Sequence, residues 1–248
     1  MILHRRALIL GAAATLAGCD RLAKNATVRE TLFSAENFHK WAQRSLMARD
    51  ALAHEFRPDQ ISPFFRPNGT ANPNTPEYKT LWRNGFADWR LKVGGLVDRP
   101  MSLSLAQLHG FRHREQITRH DCVEGWSAIG RWRGVPLKQV LDAARLRDGA
   151  RYIVFHCADD MGGGKGYYES IDLTDAFHPQ TILAFALNGE PLRVANGAPL
   201  RLRVERQLGY KQAKYLMAIE AVASLESVGG GKGGFWEDHA GYDWYAGI

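Results

Sequence analysis

From residue 57 onward, glycine and proline cut this chain into segments too short for long regular elements. The 248 residues include 25 glycines and 10 prolines, and the apolar runs between them are brief. Trp89, Leu91 and Val93 alternate and stop at Gly94-Gly95, which predicts a strand and a turn. Ile117 to Val123, carrying His120 and Cys122, predicts a second strand. Tyr152 to Phe155, Tyr167 to Leu173, Leu200 to Val204 and Tyr215 to Val222 predict four more. Leu103, Leu105 and Leu108 fall on a short helix or turn, and Pro136 to Ala144 on a short helix with proline in its first turn. Short strands with few helices predict an α+β fold built on mixed, short-stranded sheets.

Three stretches stand outside this pattern. Residues 34–56 predict a long helix: Ser34 caps it, Glu36 sits in its first turn, and Phe38, Trp41, Ala42, Leu46, Leu52, Ala53 and Phe56 recur at helical spacing. That stripe is expected to pack in a core. Residues 57–76 hold Pro58, Pro63, Pro67, Pro73 and Pro76 and predict a long ordered loop, with Phe64 and Phe65 favouring a packed one. Residues 229–234 (Gly-Gly-Gly-Lys-Gly-Gly) predict a flexible hinge before an aromatic tail with Trp236, Tyr242, Trp244 and Tyr245. The expected organisation is a signal over 1–19, a helical extension over 20–59, a main domain over 60–228 and a tail over 229–248.

The N-terminus reads as an address. His4-Arg5-Arg6 precedes a short apolar run from Ala7 to Ala17, too short for a spanning helix and suited to a signal segment. The paired arginines suggest twin-arginine export to the periplasm. Leu16-Ala17-Gly18-Cys19 resembles a bacterial lipobox, which would tether the chain through a lipidated Cys19; an ordinary secretory signal with a chance cysteine is the other reading. The formal net charge is +6, and the positives are scattered with no run of five or six. Nucleic-acid binding is therefore not expected, and a bound anion or acidic protein partner fits at least as well.

Chemistry concentrates around cysteine. The three cysteines, Cys19, Cys122 and Cys157, are too few for a disulfide framework. Cys122 lies in Arg119-His120-Asp121-Cys122-Val123-Glu124-Gly125-Trp126-Ser127, ahead of a glycine turn, where nearby cations would favour its thiolate. A thiolate suits a soft or high-valent transition metal; a buried, inert thiol is the plainer alternative. His120, Cys122, His156 and Cys157 could instead gather zinc, although their spacing is not a standard zinc pattern. Gly162-Gly163-Gly164-Lys165-Gly166 lacks the upstream glycine and following Ser or Thr of a phosphate loop.

Cys122-Val123-Glu124-Gly125-Trp126, followed by Trp132-Arg133-Gly134-Val135-Pro136-Leu137, resembles the molybdenum segment of the sulfite oxidase superfamily of molybdopterin-dependent oxidoreductases. It is most similar there to the branch of periplasmic protein-methionine-sulfoxide reductases. The resemblance runs over about residues 60–225. It implies that Cys122 ligates molybdenum beside the dithiolene of molybdopterin. Asn196 to Leu202 and Gly209 to Lys214 are similar to the family's cofactor-binding stretch, which implies cofactor roles for Asn196, Arg201, Gln212, Ala213 and Lys214. Phe65 to Thr70 resembles an early cofactor loop and implicates Asn68, with Arg66 a weaker match. Ala184 to Glu190 matches as scaffold. Cys157 stands where the reductase branch has a threonine on the cofactor, so it is carried as a cofactor-binding candidate that could equally just pack.

Departures narrow the expectation. Sulfite oxidases place arginines directly after the metal cysteine, whereas Gly125-Trp126-Ser127 stands here. There is no room for their C-terminal dimerisation domain, so a monomer is expected. No Cys-x-x-Cys-His haem motif occurs, which implies electrons from another protein, a membrane haem protein or a cytochrome. The resemblance thus implies oxygen-atom transfer, in the direction of reducing a sulfoxide or N-oxide. Two alternatives stay open: oxidation of sulfite or another sulfur compound, with Arg119, Arg131 and Arg133 as an anion pocket, and a non-catalytic binding lipoprotein that keeps the fold. Trp126 and Tyr168 are the expected pocket walls.

Overall fold

Leu91 and Val93 point inward and Lys92 outward, and this alternation makes β1 (Leu91–Gly95) a strand with one buried face. The structure is a computed structural model and describes residues 37–162 and 166–248. The expectations for residues 1–36, the export signal and Cys19 among them, lie outside the described residues. Chain contacts separate residues 1–47 from residues 48–248.

In the first unit the described part is a helix, α1, over residues 37–46. It ends ten residues short of the expected stop at 56. Phe38, Trp41 and Leu46 are exposed rather than packed in a core, and the Phe38 and Trp41 rings meet each other at 5.7 Å. Past Met47 the chain runs extended because better partners exist for its backbone. Phe56 donates to the Ile117 carbonyl at 2.8 Å. The Gln180 amide brackets Ala53, accepting from its N–H at 2.7 Å and donating to its carbonyl at 3.0 Å. His178 bonds the Ala51 carbonyl at 3.0 Å. The apolar stripe therefore crosses from a helix into an edge segment, and the body begins near residue 48 rather than 60.

The body holds two five-stranded sheets. The first has the order β2 (Met101–Leu103), β1, β10 (Leu216–Val222), β5 (Tyr152–Asp160), β6 (Gly166–Asp172). The second has the order β3 (Arg114–Asp121), β4 (Ser127–Pro136), β7 (Ile182–Leu187), β8 (Glu190–Pro191), with β9 (Arg201–Arg203) also paired to β7. All pairings are antiparallel except β1 with β10, where Val93 lies opposite Ile219 in parallel. One core joins the sheets: Val93, Ile153, Phe155, Ile171 and Ile219 come from the first, Val135, Leu183 and Leu202 from the second. A smaller cluster forms around Trp132 and Phe65.

The helices are short. They are α2 (Pro76–Arg83), capped by the Thr75 hydroxyl, α3 (Leu105–His109), closed by a Ser104/Gln107 capping box, α4 (Leu137–Ala144), α5 (Leu173–Ala176) and α6 (Phe235–Ala240). Among the described residues no helix is long and apolar enough to cross a membrane. The expected hinge over 229–234 folds as pinned turns. Gly230 and Lys232 donate to the Asp238 carboxylate at 2.8 and 2.9 Å, and the Gly233 carbonyl accepts from the Ser170 hydroxyl at 2.5 Å. A Cβ on Gly229 would lie 2.0 Å from the Tyr168 hydroxyl, so this glycine permits close approach rather than swing.

Candidate functional site

Strand β3 delivers Cys122 by ending one residue before it. The Cys122 N–H donates to the Trp126 carbonyl at 2.9 Å and Gly125 N–H to the Cys122 carbonyl at 3.0 Å. Gly125 closes that turn at φ +84°. Two other segments meet Cys122 across a half-open cavity of about 180 Å³. Asn68, Gly69 and Thr70 come from the proline-rich loop; Gln212, Ala213 and Lys214 come from the stretch between a 3₁₀ turn (Gly209–Lys211) and β10. The remaining wall includes Asp159, Met161, Tyr167, Tyr210, Trp236 and Tyr242. The last two belong to the aromatic tail, whose rings stack at 5.9 Å.

Five of the eight expected cofactor residues, Asn68, Cys122, Gln212, Ala213 and Lys214, therefore line one cavity. Arg201 reaches it indirectly: its guanidinium donates to the Asn196 carbonyl at 3.0 Å and to the Gln212 carbonyl at 3.2 Å. Cys157 is not part of this wall. It lines an adjoining cleft and packs against the core.

The family model described as the oxidoreductase molybdopterin binding domain matches residues 78–227. The chain belongs to the molybdopterin-binding oxidoreductases. It is 34% identical over 250 residues, 98% of its length, to a putative protein-methionine-sulfoxide reductase subunit, YedZ1, of Azospira oryzae, and covers 86% of that relative. It is 40% identical over 150 residues to the protein-methionine-sulfoxide reductase catalytic subunit MsrP of Xanthomonas axonopodis pv. citri, matching 56% of the chain and 47% of that relative. The chain thus spans about half the length of the MsrP relative. Among solved structures, the sulfane dehydrogenase SoxCD of Paracoccus pantotrophus superposes with a TM-score of 0.51 at 24% identity, over 56% of this chain and 40% of that one. This likeness supports a fold of the sulfite oxidase type.

The cavity of this molybdopterin-binding oxidoreductase fits its cofactor on physical grounds. Buried polar atoms normally find a partner, yet Asn68 Oδ1, Gln212 Oε1, Asn196 Nδ2, Arg201 Nε and His120 Nε2 have none among the described residues. A pterin with its amide edge and phosphate offers both donors and acceptors to such a set. The charges agree. Burial, then the neighbouring Arg203, lowers Arg201 to about 9. Burial, then Arg201, lowers Lys214 to about 7, with Asp159 and Cys157 opposing. The Lys214 ammonium donates to the carbonyls of Thr70 and Ala195 and makes no ion pair among the described residues. Buried cations without a carboxylate await an anion.

His120 supports this floor from behind. Arg203 donates to its Nδ1 at 2.9 Å, so the proton of the neutral ring sits on Nε2. Burial first, then Arg203 and Arg201, holds its pKa well below the ordinary histidine range. A Cβ on Gly209 would approach Nε2 to 2.5 Å, so only glycine lets this backbone pass.

Several expectations need correction. The cations near Cys122 do not activate it: Arg119 pairs with Asp121 at 2.8 Å, and burial pushes the Cys122 thiol up. The zinc grouping does not form: among the described residues no three His, Cys, Asp or Glu side chains converge, and His156 bonds Glu220 at 3.0 Å. Arg119, Arg131 and Arg133 do not build an anion pocket. None lines the cavity; Arg131 lies 3.8 Å from Glu115 and Arg133 bonds His113 at 3.1 Å. Trp126 bonds Glu124 and Tyr168 bonds Asp238; the aromatic wall is Tyr167, Tyr210, Trp236 and Tyr242 instead. The sequence clue to this wall was the density of aromatics after residue 235.

Proposed function

We propose that this chain is the catalytic part of a reductase that removes oxygen from a sulfoxide, a protein-bound or free methionine sulfoxide being the model substrate. The observation that carries the reading is the cavity itself, which Cys122 lines together with Asn68 and Gln212, whose side-chain oxygens have no partner among the described residues. The names of the relatives above point the same way. When bound, molybdenum-molybdopterin supplies a two-electron centre at which an oxygen atom is exchanged with substrate.

The chain's own residues do the rest. Cys122 is the thiolate ligand. Asn68, Asn196, Gln212 and Ala213 orient the pterin through amide and backbone groups, and Arg201 stiffens that turn through its two carbonyl contacts. Lys214 answers the anionic end as a point charge. Tyr167, Tyr210, Trp236 and Tyr242 exclude water from one side of the cavity and offer aromatic faces that suit a sulfur substituent. We also read Cys157 as supporting the cofactor from the adjoining cleft. Electrons come from a separate redox protein, a membrane haem protein or a cytochrome. The chain works as a periplasmic monomer, delivered by its twin-arginine signal and tethered through Cys19.

Metal analysis and turnover together test the reading. Protein made in a host that synthesises the cofactor is expected to carry molybdenum near one per chain and to reduce methionine sulfoxide with reduced viologen as donor. Protein that is folded without molybdenum, or that is loaded and oxidises sulfite while leaving sulfoxides untouched, would overturn it.

A further inference from the structure

We propose that Asp159 carries protons from solvent into the cofactor cavity, a step that rests on the reductase reading above. Reduction of a sulfoxide breaks the sulfur–oxygen bond and consumes two electrons and two protons. The electrons come from the external donor, the oxygen leaves as water, and both protons must enter a cavity walled by tyrosine and tryptophan.

Asp159 is placed for that task. It lies near the end of β5 and is 4% exposed. It lines the Cys122 cavity and also the adjoining cleft formed by Thr75, Glu77, Asp88, Cys157 and Gly166. Among the described residues no other lines both. Its Oδ1 is buried with no hydrogen-bond partner, and no ion pair ties it down among the described residues.

Its neighbours are committed elsewhere. The titratable groups facing it are Lys214, Tyr78, Tyr167, Tyr215 and Cys157. Lys214 holds two carbonyls. The hydroxyls of Tyr78, Tyr167 and Tyr215 donate to the carbonyls of Ala198, Tyr210 and Thr70 at 2.7, 2.6 and 2.8 Å. Burial pushes the Cys157 thiol well up, so it holds its proton. Thr70 is a further polar neighbour. Glu124, the other carboxylate on the wall, is exposed and accepts from the Trp126 indole at 2.9 Å. Burial raises Asp159 to about 6, so this carboxyl both takes and gives protons near neutrality, as a relay requires.

The test is steady-state sulfoxide reduction by the cofactor-loaded enzyme against pH, in H₂O and D₂O, for wild type, Asp159→Asn and Asp159→Glu. Molybdenum and pterin contents are measured on each. Wild-type kcat should fall above about pH 6 and slow in D₂O. Asp159→Asn should keep full cofactor and its KM, lose about 100-fold in kcat, lose the pH break, and recover rate with added acetate. Asp159→Glu should retain the break.

A loaded Asp159→Asn enzyme with unchanged kcat and pH profile would overturn the proposal. So would loss of pterin from that variant, which would make Asp159 a cofactor holder. A wild-type profile with neither pH break nor solvent isotope effect overturns it even where the variants do not fold. Loaded wild type that cannot reduce sulfoxides defeats the reductase reading instead.

Discussion

Lys214 and Arg201 stand as buried cations with no ion pair among the described residues, and that is a costly arrangement unless something answers it. The cost is readable in titration. Lys214 falls from 10.5 to about 7 because burial disfavours its charge. A folded-state pKa depressed below the unfolded value adds stability above the unfolded pKa and loses it as pH falls through the folded one. Cofactor-free protein should therefore lose on the order of 3 kcal/mol as pH drops from about 10.5 to 7. Loaded protein should show a flatter curve, since the anion restores the charge. Thermal melts of both forms across that range check this, and parallel curves would refute it. Cys122 makes a complementary case. It is half-buried in a turn, so Cys122→Ala should cost about 1 kcal/mol while molybdenum content falls to background.

The tail is an element held by charge as much as by rings. Lys211 sits fully buried between Glu169 of β6 and Glu237 of α6, bonded to both, the second at 2.7 Å. Burial raises Glu169 well above the usual carboxylate range, and Glu237 raises it further against the pull of Lys211. Removing the ammonium leaves two carboxylates facing each other. Lys211→Met is therefore expected to lose about 3–5 kcal/mol, and Glu237→Gln much less, because it removes the surplus negative charge. Denaturant unfolding of the two variants decides the order.

The anchoring of the tail was invisible in the sequence, since nothing in 229–234 betrays that Asp238 and Ser170 will pin those glycines. Strand β4 was hidden for another reason. Gly130 and Gly134 interrupt it, and the register with β7 shifts between Arg133 and Gly134, so its alternation never reads cleanly. The helix expected to reach 56 failed because Gln180, over a hundred residues away, supplies bonds no local pattern announces.

At the scale of the whole molecule, the candidate site was legible through resemblance rather than periodicity. Cys122, Asn68 and the Gln212-Ala213-Lys214 run were singled out by their resemblance to a family's segments; that they line one cavity was not legible. Nor were the neutral histidines. His178 is lowered to about 4 by burial, then by Arg206, and His120 is held well below the ordinary histidine range by burial, then by Arg203. Both bind protons in the unfolded chain from about pH 6.5 downward. The protein should therefore lose stability steadily from pH 6.5 toward 4, and His178→Gln should shallow that slope in a pH series of urea unfolding midpoints.

The parallel seam between β1 and β10 has a consequence in time. Residues 91–95 cannot find their partner until residues 216–222 have been made, so the middle of the first sheet stays open through most of synthesis. The nascent chain must shelter that gap while the ribosome works. A chain stalled before residue 216 should be quickly digested by protease, and one released beyond 222 should not. The same late closure makes the cofactor cavity, whose wall draws on Gln212 to Lys214 and then on Trp236 and Tyr242, one of the last parts of the molecule to exist.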